Sequence, residues 1–166
     1  DALACGDYRI EQRSLLRIEG DFQEPVAFPL AFNEFSIQRS HMGMIGIKVE
    51  IDGRLAANYW SDGALIATPT GSTAYSLSAG GPIVAPECNC MILTPIAPHN
   101  FTMRPIVIPD SSTIRLTIDA RDPHALAGID NESYTINNGA SFTITRAKEQ
   151  VFLVKLQNIS FYDTLR

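Results

Sequence analysis

Along most of the chain, apolar residues alternate with polar ones or form short runs, and almost no segment shows a sustained helical period. This pattern predicts many short β strands. The predicted strands cover residues 8–18, 26–37, 44–51, 55–60, 64–67, 91–96, 106–108, 113–118, 134–136, 142–145 and 151–156. Asp52-Gly53 and Asn138-Gly139 favour tight hairpin turns, because Asn and Gly tolerate the positive φ angles that such turns require.

The strands and turns follow one another closely enough to predict a mainly β fold. We expect a β-sandwich-like domain of many short strands with one short helix after Ser72. The chain has 166 residues, which is enough for one core and too few for two comfortable ones. No repeat, low-complexity tract or linker divides it, so we treat residues 1–166 as one unit.

Composition excludes some classes of function. A formal net charge of -5 and a pI near 5.1 argue against binding to nucleic acid or to an anionic membrane, since both need clustered Lys and Arg. No apolar run approaches the roughly 20 residues that span a bilayer, and no secretion signal is evident, so we expect a cytoplasmic protein. Cys5, Cys88 and Cys90 favour reduced thiols over disulfides or a metal site.

Residues 68–82, here called the elbow, follow a short apolar run and carry seven side chains with hydroxyl groups. The pattern predicts a turn at 68–71 and then a brief helix that is capped by Ser72 and stopped by Gly80-Gly81-Pro82. The first N–H groups of such a helix lack internal partners, so they can bind ribose hydroxyls, a base edge or an anion. The alternative is a Ser/Thr-rich loop whose hydroxyls satisfy only one another.

The elbow lacks the features of a triphosphate site. No Lys or Arg occurs between Arg54 and Arg104, and neither the P-loop motif nor the dinucleotide Gly-x-Gly-x-x-Gly motif is present. His99 could form a triad with Ser72 and Asp62, but no Gly-x-Ser-x-Gly motif supports that interpretation. The sequence therefore favours a binding surface over a nucleophilic active site.

Asn33 and Glu34 form a second candidate site at the end of an apolar run. An amide can pair with the donors and acceptors of an adenine edge, and a carboxylate can accept from two ribose hydroxyls. The alternative is a polar pair at a strand end that faces water. We expect this couple and the elbow to form one wall of a nucleoside pocket.

Several segments, in order along the chain, resemble the C-terminal domain of the ATP-dependent NAD kinases: Asn33-Glu34, Asp62-Gly63, the elbow, 93–99 and 104–108. The resemblance implies that the chain is an NAD-binding β domain that follows an ATP-binding α/β domain in the full-length protein. It implies transfer of the γ-phosphoryl group of ATP to the 2′-hydroxyl of the adenosine ribose of NAD, assisted by Mg²⁺ or another divalent cation. It also implies a homodimer or homotetramer formed through the β domain.

The same resemblance assigns the residues that bind NAD. Asn33 would contact the base, and Glu34 would hold the adenosine ribose. The other assigned residues are Thr70, Thr73 and Ala74 on the adenine side, Asp62, Tyr75 and Ser78 toward the other ribose and the nicotinamide, and Ser76, Leu77 and Ala97. Ala97 is implied to act through its backbone, and in the family this contact can come from a neighbouring subunit.

Four further residues are implied to lie near that pocket: His99, Asp130, Asn131 and Glu132. The family commonly has Asp-Gly-Gln where this chain has Asp130-Asn131-Glu132, and Trp60 stands where many relatives carry a basic residue. These departures change the charge at the rim of the pocket. We expect His41 and His124 to face solvent.

The catalytic aspartate of the family lies in a Gly-Gly-Asp-Gly motif of the first domain, and this chain has no such motif. We therefore assign no catalytic residue and no metal ligand here, and we expect this chain alone to bind and orient NAD without turnover. Both ends look like parts of a longer protein, because 1–4 resembles the end of a helix and 160–166 carries apolar residues that favour packing onto another domain. The alternatives are a lipid kinase of the diacylglycerol or sphingosine type and a non-catalytic nucleotide-binding module.

Overall fold

The computed structural model describes residues 3–100, 102–156 and 160–165, and across these residues twelve β strands form two antiparallel sheets of six. In chain order the strands are β1 (Tyr8–Gly20), β2 (Leu30–Ala31), β3 (Glu34–Arg39), β4 (Ile45–Ile51), β5 (Arg54–Ser61), β6 (Gly63–Ala67), β7 (Cys90–Ile96), β8 (Ile106–Pro109), β9 (Ile114–Ala120), β10 (His124–Ile129), β11 (Glu132–Asn137) and β12 (Ser141–Leu156). The first sheet has the order β2-β1-β12-β9-β4-β5, and the second has the order β11-β10-β3-β6-β7-β8.

The core lies between the two sheets, and strands such as β9 and β10 bury alternate residues there, whereas β6 is buried along its whole length. Ile45, Ile47 and Val49 of β4 are almost inaccessible to solvent, while Lys48 between them is exposed. The second sheet contributes Phe35, whose ring centroid lies 5.3 Å from that of Phe142 on the first sheet. One buried cluster joins residues of both sheets, so the prediction of a mainly β sandwich is confirmed.

The predicted strand at 26–37 is divided in the structure into β2 and β3. The break lies at Phe32 and Asn33, whose backbone N–H groups donate to the carboxylate of Asp130. A side chain that is distant in sequence replaces the usual strand partner there. The alternation of apolar and polar residues does not reveal that a side chain takes the place of a neighbouring strand as hydrogen-bond acceptor.

Two other differences concern strand boundaries. The predicted strands at 142–145 and 151–156 are one long strand, β12, which pairs with β1 and shifts register between Ser14 and Leu16. β10 was not predicted, because its buried positions, Ala125 and Ala127, are small and give a weak apolar alternation. The predicted hairpin turn at Asp52-Gly53 is confirmed, since both residues have positive φ angles and Ile51 pairs with Arg54. The predicted hairpin at Asn138-Gly139 is wrong, because this turn, with a positive φ at Gly139, joins β11 to β12, which lie in different sheets.

Chain positions outside the sheets include one α helix, α1 (Tyr75–Ser78), and two 3-10 helices, Thr70–Thr73 and Tyr162–Leu165. The three cysteines are free thiols, and His41 and His124 are exposed, as expected. Within the described residues, no helix is both long and apolar enough to cross a lipid bilayer.

Tyr59 offers a test of the core. Its side chain is 1% exposed, its hydroxyl has no hydrogen-bond partner among the described residues, and burial raises its pKa to about 12. Because an unpaired buried hydroxyl is costly, Tyr59→Phe should raise the free energy of unfolding by about 1 kcal/mol, measured by urea denaturation. The exposed Tyr8 provides the control, since Tyr8→Phe should change little. A loss of stability in Tyr59→Phe would mean that the hydroxyl is paired.

Candidate functional site

The elbow continues directly from β6, whose five residues are all buried. After Thr68 and Pro69, the chain forms the 3-10 helix and then α1, and it leaves α1 through Gly80 at a φ of +88°. The order of strand, turn and short helix matches the prediction. Tyr75 packs against the outer face of the second sheet, beside Leu65, Ala67 and Ile92.

The predicted helix cap at Ser72 is wrong. Ser72 lies inside the 3-10 helix, is fully buried, and caps no helix with its side chain. Its hydroxyl donates to the carbonyl of Val84 at 3.1 Å and accepts from the Val84 N–H at 3.0 Å, so it fixes the returning loop instead. The residue that accepts from the first turn is Thr68, whose Oγ1 lies 3.0 Å from the N–H of Gly71.

The structure brings the Asn33-Glu34 couple and the elbow together. β3 and β6 are neighbours, and Glu34 is paired with Ala67, so the start of β3 lies beside the end of β6. The N–H of Thr68 donates to the carbonyl of Asn33 at 2.9 Å. A Cβ atom on Gly71 would lie only 2.1 Å from that carbonyl oxygen, so only glycine allows the elbow to approach so closely.

Glu34 has the chemistry of a binding group rather than of a surface residue. It is 9% exposed, and its Oε2 atom has no hydrogen-bond partner among the described residues. Burial, followed by the nearby charge of Asp130, raises the pKa of Glu34 to about 7, while the backbone N–H of Tyr75 acts in the opposite direction. A buried carboxyl oxygen without a donor is an acceptor that a ligand hydroxyl can satisfy.

Tyr75 links Glu34 to a second polar group, Asp62. Burial raises the pKa of the Tyr75 phenol, and the charges of Asp62 and Glu34 raise it further. Tyr75 and Asp62 line an open cleft of about 720 Å³, together with 38–42 and Ile96. The candidate site therefore extends along β3 and β6, with Glu34 at one end and Asp62 at the other.

Asp62 is held in place by Arg39, a residue that no motif in the sequence indicates. The Nε atom of Arg39 lies 2.8 Å from Oδ1 of Asp62, and its Nη2 atom lies 3.2 Å from Oδ2. The ion pair is therefore bidentate. The pairing of Gln38 with Gly63 places these residues side by side. In the sequence, only the opposite charges of Arg39 and Asp62 suggest an ion pair. That suggestion becomes specific once the strand pairing shows that the two residues are neighbours.

The other predicted residues of the elbow occupy different environments. Thr70 and Ala74 are half-buried, and Thr73 is exposed. Ser76 is fully buried, with its hydroxyl 3.3 Å from that of Thr94, so its side chain faces the protein interior. Leu77 and Ser78 are exposed at the end of α1. The NAD contacts assigned to these residues remain predictions.

The remaining predicted residues come from two turns. Ala97 is exposed and has a φ of +44°, and the N–H of His99 donates to the carbonyl of Trp60 at 2.9 Å. Asn131, between β10 and β11, and Glu132, the first residue of β11, are exposed. Asp130, in the same turn, instead faces the Asn33-Glu34 couple and accepts from its backbone N–H groups.

Comparison with known proteins places this geometry in a family. Residues 32–156 match the family described as the ATP-NAD kinase C-terminal domain. An NAD kinase of Cytophaga hutchinsonii is 37% identical over 167 residues, which span 100% of this chain and 57% of that protein. An NAD kinase of Bacteroides fragilis is 43% identical over 160 residues, which span 96% of this chain and 55% of that protein. The chain thus spans little more than half the length of the curated relatives that it matches.

Two solved structures share the fold. The yeast NADH kinase complexed with NADH has a TM-score of 0.84 at 27% identity, and the match covers 93% of this chain and 46% of that one. An NAD kinase from Archaeoglobus fulgidus in complex with ATP has a TM-score of 0.78 at 27% identity, covering 94% of this chain and 58% of that one. The resemblance read from the couple and the elbow is therefore confirmed, and the chain belongs to the ATP-NAD kinase C-terminal domain family.

Proposed function

We propose that this chain is the NAD-binding domain of an NAD kinase, which in its longer form transfers the γ-phosphoryl group of ATP to the 2′-hydroxyl of the adenosine ribose of NAD. The observation that carries the proposal is the junction of Asn33-Glu34 with the hydroxyl-rich elbow through Thr68 and Gly71. The complexes of the two structural relatives with NADH and ATP support a nucleotide as the ligand.

The adenosine end of the ligand fits the Asn33-Glu34 couple. The half-buried Asn33 amide offers both a donor and an acceptor for a base edge. The free oxygen of the buried Glu34 carboxyl offers an acceptor for ribose hydroxyls. A ribose held through its 2′- and 3′-hydroxyls would be oriented for reaction at the 2′ position.

The distance between the two polar ends favours a dinucleotide over a mononucleotide. Glu34 and Arg39 are five residues apart on β3, so their backbones are about 17 Å apart at the usual rise of a strand. Asp62 lies beside Arg39, and the charges of both Asp62 and Glu34 act on Tyr75. Such a site can hold two riboses joined by a pyrophosphate. A lipid kinase is not favoured, because the chain belongs to the ATP-NAD kinase C-terminal domain family and carries the Arg39–Asp62 ion pair in the cleft.

The proposal assigns this chain binding and orientation, and it assigns the phosphoryl transfer to the longer protein. Within the described residues, no group of three His, Cys, Asp or Glu side chains is placed to hold a metal ion. Mg²⁺ would accompany ATP in the longer protein, and we propose no ligand for it in this chain. We also propose that the longer protein is a cytoplasmic enzyme that assembles as a homodimer or homotetramer. In it, this chain would contact a preceding ATP-binding domain.

Asn33→Ala tests the proposed base contact. Loss of the amide should weaken NAD binding by more than about 1 kcal/mol, because base atoms that the amide paired would be left without partners. The measurement is isothermal titration of the protein with NAD. Asn58, which is exposed on the edge strand β5, provides the control, and Asn58→Ala should bind NAD as the wild type does. An unchanged dissociation constant for Asn33→Ala would remove the base contact from the proposal.

A further inference from the structure

The three backbone N–H groups of residues 32–34 all donate to one side chain. Oδ2 of Asp130 accepts from Phe32 at 2.7 Å, and Oδ1 accepts from Asn33 at 2.7 Å and from Glu34 at 3.1 Å. Hydrogen bonds to an ionised carboxylate are stronger than those between neutral groups. Asp130 therefore fixes this short segment more firmly than a single strand pair would.

The three carbonyl groups of the same segment also have defined partners. The Thr68 hydroxyl donates to the carbonyl of Phe32 at 2.7 Å, and the Thr68 N–H donates to that of Asn33 at 2.9 Å. The N–H of Asp130 donates to the carbonyl of Glu34 at 3.0 Å. Two residues, which lie 62 positions apart in the sequence, thus engage every backbone polar group of residues 32–34.

Asp130 adopts a left-handed backbone conformation in the turn between β10 and β11. Its φ is +49°, a region that Asn and Asp enter more readily than other residues with a side chain. The reciprocal bonds between Asp130 and Glu34 are the contacts that fix this conformation here.

We propose that Asp130 and Thr68 are positioning residues of the nucleotide site, which fix the backbone of residues 32–34 so that the side chains of Asn33 and Glu34 face the ligand as one rigid unit. The identity of the ligand rests on the function proposed above, whereas the positioning itself is a property of the free protein. We call the two residues the backbone clamp.

Asp130 acts on Glu34 through charge as well as through hydrogen bonds. Of the groups near the Glu34 carboxyl, Asp130 comes from the β10–β11 turn and Tyr75 from α1, while the neighbouring position on β6 is Ala67, which does not titrate. The Asp130 charge contributes, after burial, to the raised pKa of Glu34. Removal of that charge should therefore shift the pH dependence of the binding affinity of any ligand that contacts Glu34.

Asp130→Asn tests the clamp, since Asn tolerates the positive φ but carries no charge and only one acceptor oxygen. In the ligand-free protein, amide hydrogen exchange measured by NMR should be at least tenfold faster at residues 32–34. Asp52→Asn is the matched control, because Asp52 also has a positive φ of 50° and exchanges reciprocal hydrogen bonds with Thr113. Unchanged exchange at residues 32–34 in Asp130→Asn would overturn the proposal.

Binding of NAD gives a second readout that a merely structural residue would not change. The dissociation constant of Asp130→Asn should rise at least tenfold, and the midpoint of its pH dependence should move to lower pH, while Asp52→Asn binds as the wild type does. If the wild-type protein does not bind NAD, the proposed function fails, and the exchange experiment still decides the clamp.

A second pair of variants decides the matter if Asp130→Asn does not fold. Thr68→Ser keeps the hydroxyl that bonds Phe32 and Gly71, whereas Thr68→Val keeps the shape and loses both bonds. Exchange at residues 32–34 should be near the wild-type rate in Thr68→Ser and at least tenfold faster in Thr68→Val. Equal exchange rates in the two variants would contradict a role for the hydroxyl.

Discussion

Glu34→Gln should stabilise the ligand-free protein by about 3 kcal/mol at pH 8 and leave its stability almost unchanged at pH 4.5. Burial raises the pKa of Glu34 from 4.5 to about 7 in the folded protein. Between these values the folded state keeps a proton that the unfolded chain has lost, so stability falls as the pH rises. The amide does not titrate and avoids this cost.

The measurement is urea unfolding of the wild type and the variant from pH 4.5 to pH 8. Glu24→Gln, at an exposed carboxyl, is the control and should follow the wild type throughout. If Glu34→Gln is less stable than the wild type at pH 8, the ionised Glu34 carboxylate does not destabilise the ligand-free protein.

The same variant should bind NAD more weakly, which would separate a binding role from a structural one. The proposed ribose contact needs the ionised carboxylate, so the affinity of the wild type should rise about tenfold between pH 6 and pH 8, with release of a proton on binding. Glu34→Gln should lose this dependence. A gain in stability joined to a loss of affinity is the trade-off expected of a group kept for function.

Gly71→Ala should disrupt the site more completely than any change of a single polar side chain. The new Cβ would lie 2.1 Å from the carbonyl oxygen, 2.5 Å from the carbonyl carbon and 2.7 Å from the Cα atom of Asn33. All three are backbone atoms, so no side-chain rotation can relieve the clash. Either the elbow or the start of β3 must move, at a cost of about 1–3 kcal/mol of stability.

NAD affinity should fall at least tenfold in Gly71→Ala, because the displacement separates the two halves of the site. Gly43→Ala is the control, since its Cβ would meet only the Asp122 carboxylate at 3.7 Å, an ordinary contact. Unfolding and binding are measured on both variants. Wild-type affinity in Gly71→Ala would show that the elbow and the couple bind independently.

Local patterns predicted the parts of the site but not the contacts that join them. The elbow could be predicted because its glycines and hydroxyl residues are contiguous. The Asn33-Glu34 couple could be predicted because a polar pair ends an apolar run. Ser72 shows the limit, since its partner is the returning loop at Val84 rather than a helix end. A capping pattern specifies the residue type and not the direction of the side chain.

The contacts that the sequence did not predict lie across the second sheet. Thr68 and Asp130 meet at residues 32–34 only because β6 and β10 flank β3. Arg39 reaches Asp62 through the same strand pairing. Strand order depends on the summed packing of the whole sandwich, and no local pattern in this chain encodes it.

The order β10-β3-β6 also bears on when during folding the proposed ligand can bind. Three strands from distant parts of the chain must be side by side before the pocket exists, and such non-local pairings form slowly. Nascent or partly folded chains would therefore not bind the proposed nucleotide, which can stabilise only the folded protein. In refolding experiments, NAD should slow the unfolding limb of the kinetics and leave the folding limb unchanged.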